Sequence, residues 1–183
     1  MTRFLPVGPR ALLVELEDQQ AVLGLYAEIQ RRREAGWPGP LTDVVPAART
    51  VLLDGLADPA RVAADIRTWL PSPAPAPTGE LVEIPATYDG ADLEEVARSW
   101  DMTVKEAVAT HLATAFYVAF CGFSPGFAYL AGLPEDLAVP RRASPRPSVP
   151  AGAVALAGEY TAVYPRSSPG GWQLVGRTEV ILW

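Results

Sequence analysis

Gly122-Phe123-Ser124-Pro125-Gly126-Phe127 sets a serine between two glycines at the G-x-S-x-G spacing of a nucleophile elbow. That spacing serves acyl transfer, but the neighbouring residues do not fit it. The residue after such a serine donates its backbone N–H to the developing oxyanion, and Pro125 has no N–H to give. No histidine follows in the chain, and no strand–elbow–helix pattern surrounds the motif. What remains is a tight, apolar-walled loop. Gly122 and Gly126 would let a ligand approach the backbone, and Phe123, Phe127 and Tyr129 would wall it, with Ser124 at its tip.

Two further segments have residues suited to an anion. Pro140-Arg141-Arg142 to Pro145-Arg146-Pro147 is stiffened by its prolines, and the guanidinium forks of Arg142 and Arg146 match a carboxylate or phosphate. A solvated loop explains the same segment equally well. Ser167-Ser168-Pro169-Gly170-Gly171-Trp172-Gln173 leads on to Arg177, and Gly170 and Gly171 could expose backbone N–H groups as an anion nest. A β-hairpin turn is the other reading of a Gly-Gly pair. Neither glycine cluster ends in the Lys-Ser/Thr of a P-loop, so any nucleotide would be held by arginine and backbone groups. His111 shares an apolar helix face, where a satisfied core histidine is the default. It is also the sole histidine and so the one ordinary candidate for proton transfer near neutrality. Cys121 reads as buried packing at a strand end.

The composition limits the remaining chemistry. In 183 residues there is one Cys and one His, which leaves no intrachain disulfide, no cysteine-based cluster and no multi-histidine metal site; no metal is expected. A net charge of −6 argues against general nucleic-acid binding. Apolar residues make up 49% and charged residues 20%, the balance of a folded protein. Ala107 to Ala131 is the longest uncharged stretch of apolar character, and His111, Gly122, Pro125 and Gly126 break it, so no membrane span and no targeting segment is expected. A cytoplasmic protein follows. Residues 137–183 hold five Arg against two Glu, while residues 71–136 hold two basic and ten acidic residues. The basic end of an acidic chain suits a small anionic ligand or an acidic partner surface.

The elements that must position these residues fall on either side of Pro71 to Gly79, an alternating Pro/Ala run that reads as an extended linker. Residues 1–70 form one expected domain and residues 80–183 the other. Before the linker, Ala11 to Leu16 reads as a strand. A helix capped by Asp18 follows, with Arg31, Arg32 and Arg33 in its last turn before Gly36. Thr42–Val45 and Thr50–Asp54 are strand-like, and Asp58-Pro59 opens a second helix. The order β-α-β-β-α predicts a ferredoxin-like α+β domain. After the linker, Leu81–Ile84 reads as a strand. Leu93, Val96, Ala97 and Trp100 mark a helix, and Thr103 with Glu106 is a capping box opening another. Ala115 to Cys121 reads as a strand buried on both faces. Short apolar runs follow at Val154–Ala157, Thr161–Tyr164, Trp172–Val175 and Val180–Trp183, the pattern of a β-sandwich or barrel.

His111, Tyr117-Val118, Gly122 through Leu130, Gly132-Leu-Pro134, Pro140-Arg-Arg142, Pro145-Arg146, Val149-Pro-Ala-Gly152, Ala157-Gly158, Tyr164-Pro165 and Ser168 through Thr178 together resemble the allophanate hydrolase subunit 1 / KipI family. That family includes the B subunit of prokaryotic 5-oxoprolinase. The resemblance implies a small N-terminal α/β domain and a C-terminal cyclophilin-like β-barrel. It implies a complex with an allophanate hydrolase subunit 2 / KipA-like protein and a LamB/YcsF-like lactamase subunit. It implies ATP-dependent opening of the lactam of 5-oxoproline to L-glutamate, with ATP and its Mg held at a site shared with, or carried by, a partner. Phosphorylating the lactam oxygen would create a leaving group and relieve amide resonance before water attacks. Such chemistry needs cations for phosphate charge and a site for the substrate carboxylate. The residues of suitable type are Gly122, Phe123, Ser124, Gly126, Phe127, Tyr129, Arg142, Arg146, Gly170, Gly171, Trp172 and Arg177 for binding, with His111 for proton transfer. The family also implies strands beyond Thr178, of which Val180–Trp183 would be the first. The alternative within the family is a KipI-like inhibitor that binds a histidine kinase. A prolyl isomerase would rest on the barrel alone, and no cyclophilin active-site pattern is present.

Overall fold

The computed structural model describes residues 2–69, 74 and 79–183. Most of the expected Pro71–Gly79 linker lies outside the described residues. The chain divides into two compact units, Met1–Thr78 and Gly79–Trp183.

In the first unit, β1 (Arg3–Pro6), β2 (Ala11–Glu15), α1 (Gln19–Glu34), β3 (Asp43–Pro46), β4 (Thr50–Asp54) and α2 (Pro59–Arg67) follow in order. Local chemistry sets the helix starts as the sequence predicts. The Asp18 carboxylate accepts from Ala21 N–H at 2.8 Å and that of Asp58 from Arg61 N–H at 2.9 Å, satisfying donors that have no partner inside the helix. The strands form an antiparallel sheet in the order β1-β2-β4-β3. Cross-strand partners Leu12–Leu53 and Val14–Val51 point to one face, where Val22 and Ile29 of α1 and Val62 and Ile66 of α2 complete a closed core. Each such side chain contributes about 1.5–3 kcal/mol on burial. Strand β1 goes beyond the expected β-α-β-β-α order. Its four residues lack a clear alternation, and it is held by register against β2, Phe4 facing Val14.

The second unit holds α3 (Leu93–Ser99), α4 (Val104–Ala113), β5 (Tyr117–Cys121), β6 (Ala128–Ala131), a 3-10 turn (Glu135–Leu137), β7 (Arg146–Val149), β8 (Ala153–Ala157), β9 (Tyr160–Val163), β10 (Ser168–Gly170) and β11 (Gln173–Arg177). The four α-helices and antiparallel sheets of the described residues make a mixed α/β protein. Here the large sheet runs β11-β8-β9-β6-β5, and β7 pairs separately with β10. Helix α4 starts on the expected capping box, the Glu106 carboxylate accepting from Thr103 N–H at 2.8 Å. One face of the sheet carries Val154, Leu156, Val163 and Val175 against Leu93 and Val96 of α3, Trp100 at its C-cap and Ala107 of α4. Another side packs an aromatic cluster described below. Strands β8 and β9 are buried on both faces.

Several expectations need correction. Strands β5 and β11 are the outer strands and do not pair with each other, so the described residues form an open sheet and no closed barrel. Being at the edge, β5 is not buried on both faces: Val118 is 56% exposed and Cys121 is an exposed free thiol. Leu81–Ile84 forms no strand, and Leu81 is 85% exposed. Residues 87–92 instead run along the free edge of β11, with Thr87 and Arg177 exchanging backbone hydrogen bonds of 2.8 Å and Gly90 N–H reaching Val175 O at 3.2 Å. This segment covers an edge that would otherwise be open to pairing. Val180–Trp183 likewise finds no ladder partner. The Gly170-Gly171 pair is not a hairpin turn, because β10 pairs with β7 while β11 pairs with β8.

Candidate functional site

The glycine loop closes on itself. Gly122 N–H donates to Phe127 O at 3.1 Å, Phe127 N–H to Ser124 O at 3.0 Å, and Ser124 N–H to Gly122 O at 2.7 Å. The last bond spans two residues, a γ-turn that holds Phe123 at φ +66°. A non-glycine residue in that region stores about 1–3 kcal/mol of strain, and Phe123 stands 63% exposed. Gly126 is required at φ +79°, and a Cβ there would collide with the Trp183 side chain. Ser124 Oγ is buried without a hydrogen-bond partner among the described residues.

From this loop the polypeptide turns inward at Phe127, which is 1% exposed and sits edge-on to Tyr164 at 5.1 Å and to Trp172 at 5.5 Å. Tyr129 stacks on Phe120 at 4.3 Å and meets Trp172 at 5.4 Å. Phe127, Tyr129 and Trp172 are therefore one cluster, as are the two glycine segments that carry them. Burial pushes the Tyr129 and Tyr164 hydroxyls above their ordinary pKa, against a smaller opposite pull from the Arg141 charge. Both stay protonated at neutral pH.

The arginines join the same cluster. Gly170 pairs directly with Arg146 across β10 and β7. Arg142 N–H donates to Gly171 O at 2.8 Å, and Arg146 Nη1 to Trp172 O at 3.4 Å. Gly170 and Gly171 therefore sit beside the backbone of Arg146 and Arg142, and Gly170 does so within a strand rather than as a nest. Arg146 likewise belongs to a strand, where the sequence reads a loop.

Sequence reasoning missed Asp92. Its side chain is 4% exposed, and Oδ1 accepts from Arg142 Nη1 and Arg146 Nη2, each at 2.8 Å. Oδ2 accepts from Leu174 N–H at 2.6 Å. Burial alone would raise the carboxyl pKa. The Arg146 hydrogen bond, the Leu174 N–H and the two guanidinium charges outweigh it and hold the pKa below the ordinary value. Two cations around one anion leave a net charge of +1. The two side chains keep some outer surface, Arg142 being 31% and Arg146 21% exposed. A net cation of this kind suits a carboxylate or a phosphate oxygen, and it lies at the margin of the buried aromatic cluster.

Two candidates lie elsewhere. Arg177 pairs with Asp89 at 2.9 Å on the surface. His111 lies in the core, 8% exposed, with both ring nitrogens hydrogen-bonded. Thr161 Oγ1 donates to Ala155 O at 3.1 Å, so it accepts from His111 Nε2–H at 3.1 Å, and Tyr88 O–H donates to Nδ1 at 2.7 Å. Burial lowers its pKa from 6.5 to about 4. The space beside it, among Tyr88, Trp100, Val108 and Leu156, amounts to about 10 Å³, too small for a substrate.

Comparison with known proteins agrees over nearly the whole length. A sequence model of the carboxyltransferase domain, subdomains C and D, matches residues 2–183. The 5-oxoprolinase B subunit of Escherichia coli O157:H7 is 38% identical over 187 residues, covering 97% of this chain and 84% of that protein. The 5-oxoprolinase B subunit of Bacillus subtilis (strain 168) is 47% identical over 106 residues, 56% of this chain and 44% of that one. The crystal structure of TTHA0988 superposes with a TM-score of 0.71 at 32% identity, covering 100% of this chain and 36% of that chain. The Kluyveromyces lactis urea amidolyase shares the fold at a TM-score of 0.69 and 16% identity, covering 97% of this chain and 13% of that one. This chain belongs to the carboxyltransferase domain family, subdomains C and D.

Proposed function

We propose that this chain is the B subunit of an ATP-dependent 5-oxoprolinase, opening 5-oxoproline to L-glutamate only together with a subunit 2 / KipA-like protein and a LamB/YcsF-like lactamase subunit. The observation that carries the reading is the Arg142–Asp92–Arg146 cluster, a net cation set against Phe127, Tyr129 and Trp172. A guanidinium fork suits the substrate carboxylate, and half-buried Tyr129, the most open ring of the cluster, suits a small ring. The relatives named as 5-oxoprolinase B subunits support the substrate class. The same forks would accept phosphate oxygens of ATP. Among the described residues no group of three His, Cys, Asp or Glu converges on a metal position, so Mg ligands would come from a partner. That division of labour explains why the chain would not act alone.

The setting is cytoplasmic in this reading; no helix among the described residues is long and apolar enough to cross a membrane. We read the first unit as ferredoxin-like, with β1 filling the edge beside β2 that a C-terminal strand fills in that fold. The second is read as an opened relative of the cyclophilin-like barrel.

Co-purification with the two partner proteins, followed by 5-oxoproline-dependent ATP hydrolysis, tests the function. Activity of the assembled complex above that of any component is expected; no stimulation overturns the reading. Exposed Phe123 favours a second reading, a KipI-like inhibitor anchored on this loop. Loss of histidine-kinase autophosphorylation on adding the chain, reversed by Phe123→Ala, would establish it instead.

A further inference from the structure

We propose that Asp92 is a positioning residue for the anion site, fixing the forks of Arg142 and Arg146 so that their outer N–H groups converge on one acidic group of the ligand. The inference rests on the proposed substrate site and names the residue that organises it.

Three observations carry it. Asp92 stands just before α3, where an aspartate ordinarily accepts a helix N–H, yet its side chain makes no cap bond. Both oxygens are turned away from the helix, Oδ1 to the two arginines and Oδ2 to Leu174 N–H. The partners lie 50, 54 and 82 residues along the chain, so the carboxylate joins the start of α3, the Pro140–Arg146 segment and β11 at a single point. Finally, the Leu174 bond completes the covered edge of β11. Asp92 N–H donates to Leu174 O at 2.9 Å and Oδ2 takes the return bond, in the place of a backbone carbonyl. The carboxylate is thereby fixed by the backbone before any ligand arrives, and so are the guanidinium groups on it. A side chain with several rotatable bonds gains most from such prior ordering.

Charge alone predicts the opposite outcome to positioning. Removing a negative group beside two guanidinium groups should tighten anion binding if only net charge matters. If Asp92 positions them, Asp92→Asn loosens it. In the assembled complex, Asp92→Asn is expected to raise the KM for 5-oxoproline about tenfold or more, while kcat changes less. Arg146→Ala should cost a similar factor, and the double variant should be no worse than the worse single, because both remove one device. An unchanged or lowered KM, or fully additive effects, overturns the proposal. Arg146→Lys approaches the cluster from its other side with Asp92 intact, and should lose as much as Arg146→Ala because the fork, not the charge, is positioned.

Should the complex lack oxoprolinase activity, the function fails while the positioning claim is still decided on the isolated chain. Side-chain nitrogen NMR would follow Arg142 and Arg146 during titration with inorganic phosphate. Slowly rotating guanidinium groups that shift together in the natural protein, and average in Asp92→Asn while the β8 and β9 amide signals persist, uphold it. Guanidinium groups that rotate freely in both, or ignore phosphate in the natural protein, overturn it.

Discussion

Acid should unlock the second unit through His111, and the size of the effect follows from its surroundings. The ring is 8% exposed, and both nitrogens are committed to Tyr88 and Thr161. A second proton on Nδ1 would force the Tyr88 hydroxyl to turn from donor to acceptor and would bury a positive charge with no carboxylate among its hydrogen-bond partners. The folded-state pKa is accordingly depressed from 6.5 to about 4. The unfolded chain therefore binds this proton first as pH falls, and the native state does not follow until about pH 4. The stability contribution is whole above pH 6.5 and is lost on descending toward pH 4, at about 1.4 kcal/mol per pH step and about 3 kcal/mol in all. By pH 5, roughly 2 kcal/mol should be gone, a large fraction of a stability of about 5–15 kcal/mol. Hydrogen exchange of β8 and β9 amides, measured from pH 7.5 to 5, reports opening of this unit apart from the first. His111→Gln keeps a donor toward Thr161 but cannot titrate. Its stability is expected to be lower at pH 7.5, with the gap to the natural protein narrowing by about 2 kcal/mol at pH 5. Parallel profiles for the two proteins, or an NMR titration of His111 centred near 6.5, would refute the reasoning.

Phe127→Ala removes a ring that is 1% exposed and touches Phe123, Tyr129, Tyr164 and Trp172, so thermal unfolding should show a loss of about 3–5 kcal/mol. Gly176→Ala would set a Cβ against Thr87 O, and because that neighbour is backbone, urea unfolding should show a loss of at least about 1–3 kcal/mol. Arg177→Ala breaks only exposed ion pairs, with Asp89 at 2.9 Å and with Glu179 at 3.9 Å. Its stability should change by less than about 1 kcal/mol, and 5-oxoproline KM in the complex should stay within about twofold, unlike Arg146→Ala.

What the sequence discloses here is the chemistry that acts within a few residues. Asp18, Asp58 and the Thr103–Glu106 box each bond a backbone N–H three positions away, so a reader of the chain can place all three helix starts. The glycine–aromatic motifs and the Arg142, Arg146 segment were visible for the same reason. Edges were not. Strand β1 exists because β2 offers it a partner, and Leu81–Ile84, with a good strand composition, lies unpaired while Thr87–Asp92 takes the edge of β11. Cys121 and Val118 have apolar character, yet β5 is an outer strand and leaves them exposed. Arg177 has the residue type of the anion site, but Asp89 lies nearer. Asp92 was hidden most deeply. It sits in an acidic helix start, where a cap or a solvated charge is the ordinary expectation, and nothing local reports partners 50 or more residues away.

Stability is a weak reason for such a cluster. Taking one carboxylate and two guanidinium groups out of water costs several kcal/mol per ion, and their attraction offsets this only where geometry is good and the remaining donors are satisfied. Here the geometry is good, at 2.8 Å to each arginine, but the donors are not all used: Arg142 Nε is buried without a partner among the described residues. The carboxylate also forgoes a helix cap worth about 1 kcal/mol. A core built for stability alone would fill this corner with apolar side chains, as Val149 and Val175 do nearby at 0% and 2% exposure. An excess positive charge held rigidly at the margin of an aromatic cluster, on side chains that are still partly exposed, is what recognition of a small anion requires.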